Sequence, residues 1–245
     1  MKEVIIAKDS DELNKVAAER FISIAQNALR KKDKFTVALA GGSTPKSLYN
    51  LLASEKFRSQ IDWKKVVFFF GDERNVLPDS DESNFRMANE NLLKPLQISP
   101  ENIFRWQTEL KDAEKIAENY EETVISFFDL AENELPQFDL ILLGMGEDGH
   151  TASLFPFSKA LHETKRIAVV NFVKKLNTNR LTFTFPAINN TSNAIFLISG
   201  VAKAIVLKEV LEGESQPEKF PSQNVNLNNG NSFWLIDRQA AHLLK

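Results

Sequence analysis

Asp139-Leu140-Ile141-Leu142-Leu143-Gly144-Met145-Gly146-Glu147-Asp148-Gly149-His150-Thr151-Ala152-Ser153-Leu154-Phe155-Pro156 joins a nearly continuous apolar run to a glycine-rich loop that carries a histidine. Such runs belong to central strands of parallel sheets, which are buried on both faces. The loop therefore leaves the sheet at its carboxyl edge, where open α/β sheets bind their ligands. Only three histidines occur in the chain, and this one sets a group that titrates near neutrality at that edge.

Working outward, residues 4–8 read as a short strand. An amphipathic helix follows over 11–31, with Asp9 or Ser10 as its amino-terminal cap. Residues 35–40 are a strand that runs through Gly41-Gly42 into a helix, with Pro45 at the first helical position and Leu48, Leu51 and Leu52 as its apolar stripe. The unit repeats as a strand at 66–70, a polar loop over 71–83 and a helix over 84–93 that stops near Pro95. A helix is expected over 112–131. Past the histidine loop, 167–172, 181–185, 194–199 and 233–236 read as strands, and 201–211 and 238–244 as helices. The biased stretch 214–232, rich in Asn, Ser, Gln and Pro, reads as a surface loop. Alternating strands and helices argue an α/β fold whose parallel or mixed sheet is covered on both faces. A single domain over 1–245 is expected.

Composition narrows the function classes. The chain of 245 residues is 43% hydrophobic with 19 phenylalanines, ample for a sizeable core. Thirty basic residues against 33 acidic give a net charge of -3 and no broad basic face for nucleic acid. The absence of cysteine excludes disulfides, zinc ribbons and thiolate catalysis and fits a reducing compartment. No apolar run approaches a membrane span, and the first residues lack a signal-peptide pattern, so a cytoplasmic protein without membrane contact is expected.

Three motifs can carry chemistry. Gly41-Gly42-Ser43-Thr44-Pro45 joins a strand to a helix start, where backbone N–H groups, two hydroxyls and the helix dipole can converge on a phosphate; an ordinary tight turn capped by Thr44 is the plainer reading. Gly71-Asp72-Glu73-Arg74 places carboxylates and a guanidinium at the same edge, either for sugar hydroxyls and an anion or as a solvated loop with a local ion pair. Asp148 and His150 can form a metal pair, a base with its orienting carboxylate, or polar loop contacts. A metal needs further ligands, and neither His162 nor His242 lies in a ligand motif, so acid–base chemistry leads and no metal is expected. Arg180 precedes a strand, and Lys203 sits in the first turn of a helix. The dipole disfavours a cation there unless an anion binds.

Together these motifs resemble the 6-phosphogluconolactonase family. Gly41 to Pro45, Gly71 to Arg74 with Asp79 to Asn84, and Gly144 to Pro156 occur in the family's order and at fitting intervals. Arg180-Leu181-Thr182, Ser199 to Ala204 and Phe233 to Asp237 extend the likeness over nearly the whole chain. Residues 220–225 and Arg238 depart from the family pattern without touching these motifs. The resemblance implies a modified Rossmann-like fold, shared with glucosamine-6-phosphate deaminases and ribose-5-phosphate isomerases. It also implies cofactor-free hydrolysis of 6-phospho-D-glucono-1,5-lactone in the pentose phosphate pathway.

On that resemblance His150 activates water, and Asp148 orients the imidazole or a sugar hydroxyl. Gly41, Gly42, Ser43, Thr44, Arg180 and Lys203 hold the phosphate, with Asp72 and Arg74 as further substrate contacts. The expected partner is a phosphorylated sugar lactone, and the expected state a monomer or weak homo-oligomer. Two rivals remain: a glucosamine-6-phosphate deaminase, whose ring-opening glutamate would stand where this chain has Phe155, and a non-catalytic sugar-phosphate sensor.

Overall fold

The computed structural model describes residues 1–245. Its larger sheet has six strands: β1 (Lys2–Ala7), β2 (Phe35–Leu39), β3 (Val66–Phe70), β5 (Leu140–Leu143), β8 (Asn193–Ile198) and β9 (Asn231–Asp237). They lie in the order β1-β9-β8-β5-β2-β3, and every pairing is parallel. β2, β3 and β5 are buried at every position, as their unbroken apolar sequences require.

Both faces of this sheet are covered, and β3 shows how. Phe68 stacks on Trp63, which stacks on Phe21 of α1 (Ser10–Leu29). The next residue, Phe69, points the opposite way. It meets Phe104, Phe138, and Phe127 and Phe128 at the end of α5 (Ala113–Phe128). Aromatic side chains therefore fasten a helix to each face.

A second sheet was not foreseen. Residues 72–74, expected within a loop, form the short strand β4 (Asp72–Arg74), which pairs antiparallel with β7 (Thr178–Phe183); β7 pairs antiparallel with β6 (Ala168–Val173). Three polar residues carry no periodic signal, and their pairing is fixed by a partner more than a hundred residues away.

Other boundaries also move. α2 (Ser43–Ala53) starts two residues early, with Gly42 as its cap, so Pro45 is the third helical residue rather than the first. That position tolerates proline because its N–H has no intrahelical acceptor. The expected helix at 84–93 splits into α4 (Asn84–Ala88) and a π turn at Asn89–Leu93. α5 stops at Asp129, which adopts a left-handed conformation. Phe185 leaves the strand to open the unforeseen α6 (Phe185–Asn189) ahead of Pro186. Past β8, a 3₁₀ turn at Val201–Lys203 precedes α7 (Ala204–Glu212), and α8 is the short Arg238–Ala241.

Candidate active site

A cavity of about 220 Å³ opens at the carboxyl edge of the larger sheet. Gly41 and Gly42 after β2, Asp72 and Arg74 after β3, Gly144, Gly146 and His150 after β5, and Lys203 after β8 all line it. These loops follow four adjacent strands, β8-β5-β2-β3, so residues 160 positions apart converge on one site. β2 and β5 are paired neighbours, which sets the glycine turn about one strand spacing, ~5 Å, from the histidine loop.

Buried tyrosines fix the ends of two of these strands. The Tyr49 hydroxyl of α2 accepts from Ala40 N–H and donates to Ala40 C=O, at 3.0 and 2.7 Å. The Tyr120 hydroxyl of α5 accepts from Phe70 N–H and donates to Phe70 C=O, at 2.8 and 3.1 Å. Burial pushes both phenols up, so they stay protonated and can serve both roles. Neither was foreseen, because a lone tyrosine in a helix stripe looks like any other core residue.

The histidine loop is tightly folded. Gly146 N–H donates to His150 C=O at 2.8 Å, and Gly149 N–H to Gly146 C=O at 3.1 Å. Gly149 has φ +81, a region that favours glycine. Thr151 Oγ1 donates to Gly144 C=O at 2.9 Å. From the far segment, Ser222 donates both its N–H and its hydroxyl to Gly149 C=O, at 2.9 and 2.8 Å. The stretch expected to be a surface loop thus clamps the site, with Phe220, Ser222 and Val225 buried.

Asp148 Oδ1 lies 2.5 Å from His150 Nδ1, and its other oxygen pairs with Lys175 in the turn between β6 and β7. Burial would raise the Asp148 carboxyl, but hydrogen bonds from His150 and Lys175 outweigh it and hold the group well below the usual carboxylate range. An ionised Asp148 accepts a proton-bearing Nδ1, which leaves the Nε2 lone pair as the basic site. Phe155 stacks on the imidazole, centroids 4.1 Å apart.

β4 divides its side chains by the pleat. Asp72 and Arg74 share the cavity face, while Glu73 points inward. Asp72 Oδ2 accepts from Ser153 Oγ at 2.7 Å. Glu73 accepts from the backbone N–H groups of Arg74, Asn84 and Phe85 and from Ser83 Oγ, so it holds the loop and the start of α4 instead of touching a ligand. Burial raises its carboxyl, and those hydrogen bonds oppose the rise. Asn84, which ends the Asp79 to Asn84 motif without an assigned role, donates to Asp72 C=O at 3.0 Å and fills the space beside Gly41.

Arg180 stands opposite Arg74 in the β4–β7 register. Burial, then the neighbouring Arg74 charge, lower its guanidinium. Neither arginine nor Lys203 has a carboxylate within ion-pair distance. Ser43 and Thr44 sit at the start of α2, beside the cavity but outside its lining, and no side chain caps that helix. His162 and His242 are elsewhere, bound to Glu218 and to the Gln239 carbonyl.

The model of the family described as glucosamine-6-phosphate isomerases/6-phosphogluconolactonase matches residues 8–234. The chain belongs to this family. It is 40% identical to the 6-phosphogluconolactonase of Synechocystis sp. over 89% of this chain and 88% of that one. Identity to the enzyme of Nostoc sp. is 36%, over 98% and 97%. The solved 6-phosphogluconolactonase from Trypanosoma cruzi superposes with a TM-score of 0.88 at 30% identity, covering 100% of this chain and 97% of that one.

Within this glucosamine-6-phosphate isomerase/6-phosphogluconolactonase chain, Gly41, Gly42, Asp72, Arg74, His150 and Lys203 line the cavity; Asp148 holds His150 from behind, and Ser43, Thr44 and Arg180 lie outside the lining, Arg180 beside Arg74. No helix is long and apolar enough to cross a membrane.

Proposed function

We propose that the chain hydrolyses 6-phospho-D-glucono-1,5-lactone to 6-phospho-D-gluconate in the pentose phosphate pathway, as one cytoplasmic domain working alone or in a weak homo-oligomer. The carrying observation is that three cations lack a carboxylate partner: Arg74 and Lys203, which line the cavity with His150, and Arg180, opposite Arg74 in the β4–β7 register. Like charges placed side by side favour an anionic ligand, and a phosphate dianion suits guanidinium and ammonium groups together.

The substrate's phosphate is held by Arg180, Lys203 and the Gly41-Gly42-Ser43-Thr44 turn, whose free N–H groups open α2. This fixes the ring against His150. As water attacks C1, Nε2 takes its proton and the carbonyl electrons move to oxygen, where Arg74 or a loop N–H can stabilise the charge. The C1–ring oxygen bond then breaks, and the imidazolium returns the proton to the leaving oxygen. Asp148 holds the ring tautomer throughout, and Asp72 serves a sugar hydroxyl. A lactone carbonyl is already polarised, so this route calls for no cofactor.

Phe155 favours this reading over a deaminase. An apolar ring lies flat on the imidazole at the position where ring opening would want a carboxylate. The test is continuous measurement of acid release from the lactone above its spontaneous opening. His150→Asn should lower kcat by roughly 10²–10⁴-fold while product still binds. A folded His150→Asn protein with full turnover overturns the base, and ammonia release from glucosamine 6-phosphate overturns the substrate.

A further inference from the structure

The β6–β7 hairpin enters the site through a residue that no motif marks. Its turn, Lys174–Leu176, carries the Lys175 ammonium onto Asp148 Oδ2, the oxygen that does not face His150. The same ammonium lies 5.2 Å from the centroid of Phe155, the ring stacked on the imidazole. Lys175 thus touches both groups that hold His150 and is not among the cavity-lining residues.

We propose that Lys175 is a positioning residue for the His150 base: by holding the outer oxygen of Asp148 it fixes the dyad and keeps the imidazole free to accept a proton. The proposal rests on His150 acting as the base of lactone hydrolysis.

A carboxylate bound to imidazole alone stabilises the imidazolium form. An ammonium on the far oxygen offsets that pull, because it shares the negative charge and disfavours a second cation nearby. The carboxylate keeps its geometric role while part of its electrostatic effect is cancelled. Other charged groups face this site: Asp72 and Arg74 from β4 and Lys203 before α7 line the cavity with His150, Arg180 from β7 stands opposite Arg74, and exposed Glu147 lies on the same loop. Lys219, on the clamping segment, rests on Phe220. Asp72 is held by Ser153, and only Lys175 is paired with Asp148 beside the histidine itself.

The test compares Lys175→Met, which keeps the apolar stem on Phe155, with Lys175→Arg, which keeps the charge. The His150 ring is titrated by NMR without substrate, its signal assigned with His150→Asn, and the pH dependence of kcat is measured alongside. In Lys175→Met the ring titration and the acid limb of kcat should both move up by about half a pH unit, with kcat affected more than KM. Lys175→Arg should restore both. A ring titration that stays put in Lys175→Met, or moves equally in Lys175→Arg, overturns the proposal. The NMR arm does not use the reaction: a wild-type protein that fails to open the lactone refutes the lactonase reading, while a shifted ring still upholds the coupling.

Discussion

Gly146→Ala puts a methyl group where the His150–Asp148 pair stands. The added carbon would lie 2.0 Å from His150 Nδ1, 2.1 Å from its Cε1 and 2.7 Å from Asp148 Oδ1. Ordinary contact begins at 3.4 Å, so the ring must retreat by about 1.4 Å. The backbone has little reason to move, because Gly146 N–H is bonded to His150 C=O and Gly146 has no left-handed φ. Relief comes instead from rotating the imidazole away from Asp148. Misplacing a catalytic group by ~1 Å costs on the order of 100-fold, about 2.7 kcal/mol in the barrier. The expected result is a kcat reduced ~100-fold or more, with a melting temperature close to wild type, since alanine also narrows the unfolded ensemble. Product binding, measured by calorimetry, should change far less than kcat, because the phosphate contacts lie on other loops. A folded Gly146→Ala protein turning over at the wild-type rate would refute the placement of the ring against this glycine, and with it the geometry of the base.

Arg180→Ala and Lys203→Ala should each raise KM for the phosphorylated lactone roughly 10–100-fold, the worth of a charge-assisted hydrogen bond, with smaller effects on kcat; unchanged kinetic constants would remove that residue from the phosphate site. Glu73→Gln leaves at least one of the buried N–H groups at the start of α4 without its acceptor and should destabilise the fold by about 1–3 kcal/mol, read by thermal or denaturant unfolding. Asp148 is held far below the usual carboxylate range, so it stays ionised through the working pH. Asp148→Asn removes the anion that stabilises imidazolium. Its acid limb should therefore shift to lower pH while kcat falls through loss of orientation; a limb that moves up would contradict the assigned contact.

Much of the frame was legible because its signals are local. Val66-Val67-Phe68-Phe69-Phe70 and Leu140-Ile141-Leu142-Leu143 can only be doubly buried strands, and a glycine loop after such a strand has to emerge at the ligand edge. That reasoning puts His150, the Gly41-Gly42 turn and Arg74 at this edge, where they line the cavity, while Lys203 stands out only as a cation in a helix's first turn. What escaped depends on pairing across distance. β4 is three polar residues made a strand by β7. Ser222 has no motif, yet two of its hydrogen bonds hold the Gly149 carbonyl. Lys175 looks like any hairpin-tip lysine until the turn folds over Asp148.

The second sheet explains why Arg180 and Arg74 lie side by side. On the parallel sheet alone, Arg74 would end a flexible loop beyond β3. Pairing β4 to β7 sets it directly across from Arg180, on the face that carries Asp72, while Glu73 on the opposite face ties the strand to α4. Two half-buried guanidinium groups in register repel each other, and burial first, then the Arg74 charge, lower the Arg180 guanidinium. Strand pairing and the Glu73 hydrogen bonds keep them together. On the proposed function, a phosphate converts that repulsion into attraction, so the affinity resides in an arrangement the fold has already made, and little ordering remains to be done when the anion arrives.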